Sequence, residues 1–244
     1  MFNNTLPIAA RTMKQLIRDR RTMALLVIAP IIIASLIGES IPNRRMLDTT
    51  LPAMLAMLIL FFGFILSGIS FLRERTQGTM ERLMASPVSR FDIVAGYLIG
   101  FLGFAIAQTL ILFFYTVYVL KANFTGDLLQ IILFQIIIGI MAVCLGIFIS
   151  VFAKNEFQMV QFIPLIIMPQ VFICGLLLPV SQLPEYLQWI ARFLPLTYGI
   201  DGIRALMLYG KDLSDIGKEI GILLAFVVGL MILAAFSLRR GSSV

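Results

Sequence analysis

Leu51-Pro52-Ala53-Met54-Leu55-Ala56-Met57-Leu58-Ile59-Leu60-Phe61-Phe62-Gly63-Phe64-Ile65-Leu66-Ser67-Gly68-Ile69-Ser70-Phe71-Leu72 is a run of 22 residues without a single charge. About 20 apolar residues in a helix cross the ~30 Å hydrocarbon layer of a bilayer. The run therefore predicts a membrane-spanning helix. Outward from it, comparable apolar runs occupy Met23 to Ile37, Ile93 to Leu120, Leu128 to Phe152, Phe157 to Leu178 and Ile220 to Leu238. The first of these is short and is expected to begin before Met23. It lacks the small-residue cleavage site of a removable signal peptide, so it is expected to stay in the mature protein. Composition agrees: of 244 residues, 60% are hydrophobic and 13% charged, with a mean hydropathy of +0.99. Six spans would leave only short loops and no room for a soluble catalytic domain.

Several chemistries are excluded at once. The chain has no histidine and two cysteines, Cys144 and Cys174, both inside apolar runs. No Cys/His metal cluster, histidine general base or disulfide framework can be built from these. The cysteines read as small packing residues, and no metal site is expected. The net charge of +6 is read as marking membrane sides, not nucleic-acid binding. On the six-span layout, twelve Lys and Arg fall on one side and seven on the other. Because cytoplasmic loops carry the excess of Lys and Arg, both termini are expected on the cytoplasmic side.

The first residues carry a second pattern. Leu6, Ala9, Met13, Leu16 and Ile17 recur at helical spacing, while Arg11, Lys14, Arg18 and Arg21 follow the same rhythm on another face. This predicts an amphipathic helix on the inner leaflet, its basic stripe facing anionic headgroups. A solvated basic flank is the alternative. Within the spans charge is almost absent. Gly96 with Gly100, and Gly139 with Gly146, offer small faces for close helix contact. Gln108, Gln135, Gln161 and Gln170 are read mainly as interhelical hydrogen-bonding groups.

The loop after the second span runs Arg73-Glu74-Arg75-Thr76-Gln77-Gly78-Thr79-Met80-Glu81-Arg82-Leu83-Met84-Ala85-Ser86-Pro87. Gly78 permits a sharp turn, Thr79 to Ser86 can form two helical turns, and Pro87 stops them. Met80, Leu83 and Met84 then share one face, an apolar knob without an evident partner in the chain, suited to a groove on another protein. Glu74, Gly78, Thr79, Glu81, Leu83, Ser86 and Pro87 resemble the E-x-x-x-G-T-x-E-x-L-x-x-[ST]-P loop of ABC-2 type permeases, the membrane subunits of ABC exporters. The resemblance implies that this loop is a short cytoplasmic coupling helix docking into an ATPase subunit. Met80, Leu83 and Met84 would dock, Gly78 would form the turn, and Glu74, Arg75, Glu81 and Arg82 would make polar contacts.

A distant second segment carries the same resemblance. Phe172, Gly175, Pro179, Leu183, Pro184, then Pro195-Leu196-Thr197-Tyr198 and Arg204 look like the permease segment that dips back at the outer face after the fifth span. Gln182 to Leu194 is expected at the interface, with Tyr186 and Trp189 at headgroup level, and Asp201 and Arg204 could pair across one helical turn. Residues 38–50 make only a short first outer loop, so the large extracellular domain of some relatives is expected to be missing.

The whole is expected to be an all-α polytopic membrane protein with six transmembrane helices. An interfacial helix (1–22) precedes a permease domain (23–240), which holds the coupling loop (73–92) and outer re-entrant segment (179–210), and a cytoplasmic tail (241–244) follows. No G-x-x-x-x-G-K-[ST] occurs, so a phosphate-cradling loop is absent; the chain is not expected to be an enzyme, and ATP and Mg would be bound by a partner ATPase. The resemblance implies two permease chains, identical or paralogous, with two ATPase chains in a plasma membrane, bacterial inner or cell membrane included. The path would lie at the dimer centre between the second and fifth spans, with Phe61, Phe64, Ile65, Gln161, Met168 and Phe172 as candidate lining. Apolar spans suit a hydrophobic or amphiphilic substrate, such as a drug, antibiotic or lipid. Export of a polysaccharide or lipid-linked glycan, an ion-coupled carrier, and a non-transporting scaffold stand as alternatives. Pro164 and Pro169 are expected to bend the fifth span.

Overall fold

Short polar side chains set where the long helices begin. In the computed structural model, Asn43 accepts from the backbone N–H groups of Arg45 and Met46, Ser89 from Asp92, Asp127 from Gln130, and Asn155 from Gln158. Each satisfies donors that a helix start leaves without an internal partner. The structure describes residues 5–79, 83 and 88–237, without the side chains of residues 20–22, 25, 26 and 90. Its helices are α1 (Thr5–Arg18), α2 (Arg20–Ser40), α3 (Arg44–Thr76), α4 (Arg90–Tyr118), α5 (Leu128–Ser150), α6 (Glu156–Phe162), α7 (Met168–Ile173), α8 (Glu185–Ala191), α9 (Pro195–Tyr209) and α10 (Gly217–Ser237). Among the described residues there is no strand.

Five stretches are long and apolar enough to cross a membrane: Arg44–Thr76, Phe91–Tyr118, Leu128–Ser150, Glu156–Ile173 and Gly217–Ser237. The apolar part of α2, Val27–Ser40, is shorter. At the centre lies α3, 72% buried over its apolar window, while α10 at the edge is 17% buried. Small residues let α3 and α5 approach closely: a Cβ at Gly63 would stand 3.0 Å from the Cβ of Ala142. Gly199 and Gly202 of α9 likewise meet Ile138 and Phe134 of α5. Cys144 and Cys174 are free and buried, as packing residues would be.

The fifth stretch is broken where its prolines lie. A π-helical turn, Ile163–Ile167, separates α6 from α7. Pro164 has no N–H to give to the ladder, and such a loss produces local re-pairing of this kind. The helix ends at Ile173, earlier than the expected Leu178, and the chain turns through Gly175 at φ +92. It then climbs through α8, where Tyr186 and Trp189 are 67% and 56% exposed. Arg192 covers the Trp189 ring at 4.6 Å.

Two expectations are corrected here. Phe64 is 0% exposed and belongs to the core, so it lines no open wall, whereas Phe61 and Ile65 are half-buried. The Asp201–Arg204 ion pair does not form among the described residues. Asp201 is exposed, and the Arg204 guanidinium turns toward Gly175, with Nη1 3.6 Å from where a Cβ would stand there. Shared helical spacing brings two residues to one face, but it does not fix where a long side chain ends, and the Arg204 guanidinium lies beside Gly175. Of the amides, Gln108 donates to the Leu58 carbonyl at 3.4 Å and Gln170 to that of Ile166 at 3.1 Å. Gln135 makes no hydrogen bond among the described residues.

Candidate functional site

Three consecutive residues at the end of α3 point in three directions, since each helical step turns about 100°. Arg73 grips Glu156 at the start of α6 through two bonds of 2.6 and 3.2 Å, and lies 3.5 Å from Asp19 between α1 and α2. Glu74, 8% exposed, accepts at one oxygen from Arg11 of α1 at 3.2 Å and from the Tyr97 hydroxyl of α4 at 3.0 Å. Arg75 donates to the Ser150 carbonyl at the end of α5 at 2.5 Å. One turn of helix thus ties α3 to α1, α4, α5 and α6, and the loop leaves from a fixed root. Gly78 then adopts φ +72 with open space around it, the left-handed conformation that ends helices and that a side chain would strain.

The returning root is equally fixed. Ser89 caps α4, and its hydroxyl donates to Asp92 at 2.6 Å while accepting from the Asp92 N–H at 3.0 Å. The other Asp92 oxygen accepts from Thr5 of α1 at 3.1 Å. Helix α1 therefore ties both roots, through Arg11 to Glu74 and through Thr5 to Asp92. It can do so because α4 offers it a seam of glycines. A Cβ at Gly96 would come within 2.8 Å of Ile8, one at Gly100 within 2.7 Å of Thr12, and one at Gly103 within 2.6 Å of Met13. The small face read from Gly96 and Gly100 receives the amphipathic helix. A cavity of about 130 Å³ with a mixed polar and apolar lining, Gln15, Leu16, Asp19, Arg73, Glu74 and Phe101 among its walls, lies between α1, α3 and α4.

The sequence-derived candidates are distributed unevenly. Glu74 and Arg75 face inward and hold the root; Thr79 is half-buried. Leu83 is half-buried and packed against the chain's own core, which corrects the reading of an apolar knob with no partner in the chain. Met80, Glu81, Arg82, Met84, Ser86 and Pro87 lie outside the described residues. Gln161, Met168 and Phe172 are exposed on the fifth stretch. On the other end of the bundle, Pro195 begins α9, and Thr197 and Tyr198 donate to the carbonyls of Ala191 and Arg192, each at 2.8 Å. Those bonds close the α8–α9 corner. Nothing in the sequence singles out Arg73, Asp92, Tyr97, Thr5 and Arg11 as a constellation, although the Ser89-x-x-Asp92 spacing is a capping signal.

The family model described as "ABC-2 type transporter" matches residues 5–208. The chain belongs to the ABC-2 type transporter family. This ABC-2 chain is 24% identical over 201 residues to ABC transporter G family member 20 of Dictyostelium discoideum, covering 82% of this chain and 28% of that protein. It is 27% identical over 173 residues to the probable multidrug ABC transporter permease YbhR of Escherichia coli K12, covering 71% and 46%. It is 29% identical over 170 residues to the linearmycin resistance permease protein LnrN of Bacillus subtilis 168, covering 69% and 44%. The matched part of the ABC-2 chain spans less than half the length of each of these relatives.

Truncating the inward carboxylate should disturb this ABC-2 root. In Glu74→Ala the buried Tyr97 hydroxyl loses its acceptor, at a cost of about 2 kcal/mol for an unpaired buried group. Glu74→Gln keeps a carbonyl acceptor and should lose less. Thermal unfolding in one detergent should rank wild type above Gln and Gln above Ala; equal midpoints for wild type and Ala would remove Glu74 from the root.

Proposed function

We propose that the chain is the membrane permease part of an ATP-driven exporter, with ATP hydrolysed by an ABC ATPase subunit that docks on residues 77–88. The supporting observation is the double pinning of that loop: its exit and return roots are each hydrogen-bonded to α1, and Arg73 and Arg75 bind its exit to α5 and α6. A loop with rigid roots passes force from a partner to the helices, whereas a loose one would absorb it. Met80, Glu81, Arg82, Met84, Ser86 and Pro87 are proposed to contact the ATPase, with Leu83 anchoring the loop to the core of this chain. Glu74 and Arg75 act as positioning residues.

The working unit is proposed as two permease chains, each with six spans when α2 is counted, beside two ATPase chains. Closure of the ATPases on ATP would carry the loops and exchange inward-open for outward-open states. Phe61 and Ile65 of α3, with Gln161, Met168 and Phe172, are proposed to line the path at the dimer centre. The names of two relatives mention multidrug transport and linearmycin resistance, in keeping with an amphiphilic cargo for these apolar walls. Co-purification tests the reading directly: tagged chain should bring down an ABC ATPase in stoichiometric amount and, reconstituted with it, show ATP-dependent export. Transport by the purified chain without ATP would overturn it.

Orientation has its own test. In a variant lacking Cys144 and Cys174, cysteine at Ser86 should be shielded from an impermeant thiol reagent in intact cells, while cysteine at Asn123, on the opposite side of the bundle in this layout, should react. The reverse pattern would invert the topology and place both termini outside.

A further inference from the structure

We propose that α1 carries a site for anionic phospholipid headgroups on Arg11, Lys14 and Arg18, and that a bound headgroup competes with Glu74 for Arg11. The proposal rests on the coupling-loop reading above only for its consequence, not for the site itself. Helix α1 has three separate sectors. Thr5, Ile8, Ala9, Thr12 and Leu16 are buried against the rest of the chain. Beside them, Leu6, Met13 and Ile17 are 68%, 38% and 64% exposed. Next to those come Arg11, Lys14 and Arg18, all exposed.

A purely solvated helix has no use for the middle sector, and an acidic soluble partner would leave it uncovered. A phospholipid fits both sectors at once, acyl chains on the apolar strip and phosphate on the basic one. The setting agrees. The α4 helix beside α1 also presents apolar Ile99, 40% exposed and one residue before the Gly100 that receives Thr12. The basic strip lies at the charged end of the bundle, level with Arg73, Glu74 and Asp92. Arg11, Lys14 and Arg18 follow one another at three- and four-residue steps, so neighbouring cations are close enough for one phosphate to touch two of them.

Arg11 belongs to two sites. Its Nη2 donates to Glu74, yet its side chain is 43% exposed, and a guanidinium has five N–H donors. Phosphate on the basic strip and carboxylate at the α3 root therefore pull on one cation, and each weakens the other's hold by the same factor. Through that shared residue, the charge of the inner leaflet would reach the root of the coupling loop.

The test uses the full chain alone, without ATPase, in vesicles of equimolar phosphatidylcholine and phosphatidylglycerol, with retained lipid read by native mass spectrometry. Wild type should retain phosphatidylglycerol preferentially. Lys14→Gln/Arg18→Gln should lower that preference about thirtyfold, the combined worth of two basic residues near an anionic surface. Glu74→Gln, which removes the negative charge holding Arg11 but keeps a neutral acceptor, should raise it several-fold; a merely structural role for Glu74 would not. An unchanged preference in either variant overturns the proposal. A separate co-purification with an ABC ATPase gives a second check: unchanged lipid preference with lost ATPase binding in the double variant would overturn the proposal and assign the strip to a protein partner. Failure of the wild type to bind any ATPase would instead sink the coupling reading and leave the lipid result standing.

Discussion

Gly146→Leu should abolish most of the folded permease in the membrane, while Gly229→Ala should leave its level unchanged or slightly raised. The two glycines are alike in sequence, each inside an apolar helix, but their surroundings differ. A Cβ at Gly146 would stand 2.5 Å from the Phe64 carbonyl oxygen and 3.0 Å from the Gly68 nitrogen. Both are backbone atoms of α3, so no rotamer change relieves the clash. Ser67, whose hydroxyl is already bonded to the Gly63 carbonyl at 2.7 Å, crowds the same spot.

Overpacking a well-filled interior costs about 1–3 kcal/mol and more where backbone must move, against a total stability of about 5–15 kcal/mol for an ordinary domain. The α3–α5 contact is the central one in this bundle, so separating it should propagate to α4 and α9. A methyl group added at Gly229 on α10 would meet nothing within 4 Å, and alanine is the better helix former by about 1 kcal/mol. Size-exclusion profiles of solubilised, fluorescently tagged variants would check both. Wild-type yield from Gly146→Leu would mean that α3 and α5 are not in the close contact described.

The helices are legible in the sequence because their signals are local. A 22-residue uncharged run, a capping Asn or Asp, and prolines at 164 and 169 each act on their own few residues. The root at the end of α3 is only half legible because its decisive bonds join residues 63 and 83 positions apart, Arg11 with Glu74 and Arg73 with Glu156. A charged residue near the end of a span looks the same in sequence whether it faces water, a partner or a neighbouring helix. Glu74 therefore reads as a contact for an ATPase, and its burial shows it occupied within the chain. Gly96 and Gly100 do form a close-contact face, but nothing in their spacing says which helix fills it. Asp201 and Arg204 mislead in the opposite direction, since local spacing implies a bond that is absent among the described residues.

Leu83→Asp and Met84→Asp should fail in different ways, and the difference isolates the docking step. On the coupling reading, their spacing with Met80 would put all three on one face of a short helix aimed at the ATPase. Leu83 is also half-buried against the permease's own core, so an aspartate there should lower the amount of folded chain before any partner is involved. Met84→Asp is the cleaner probe on this reading. A carboxylate forced into a partner's apolar groove costs several kcal/mol, which at about 1.4 kcal/mol per decade lowers affinity at least about a hundredfold. Met84→Asp should therefore reach the membrane at normal levels, retain its wild-type unfolding midpoint, and lose both ATPase co-purification and substrate-stimulated ATP hydrolysis. Met84→Leu, which keeps an apolar side chain of similar volume, should retain both. If Met84→Asp holds its ATPase and exports at the wild-type rate, residues 77–88 do not transmit the stroke, and the rigid roots at Glu74 and Asp92 serve only to hold the bundle together.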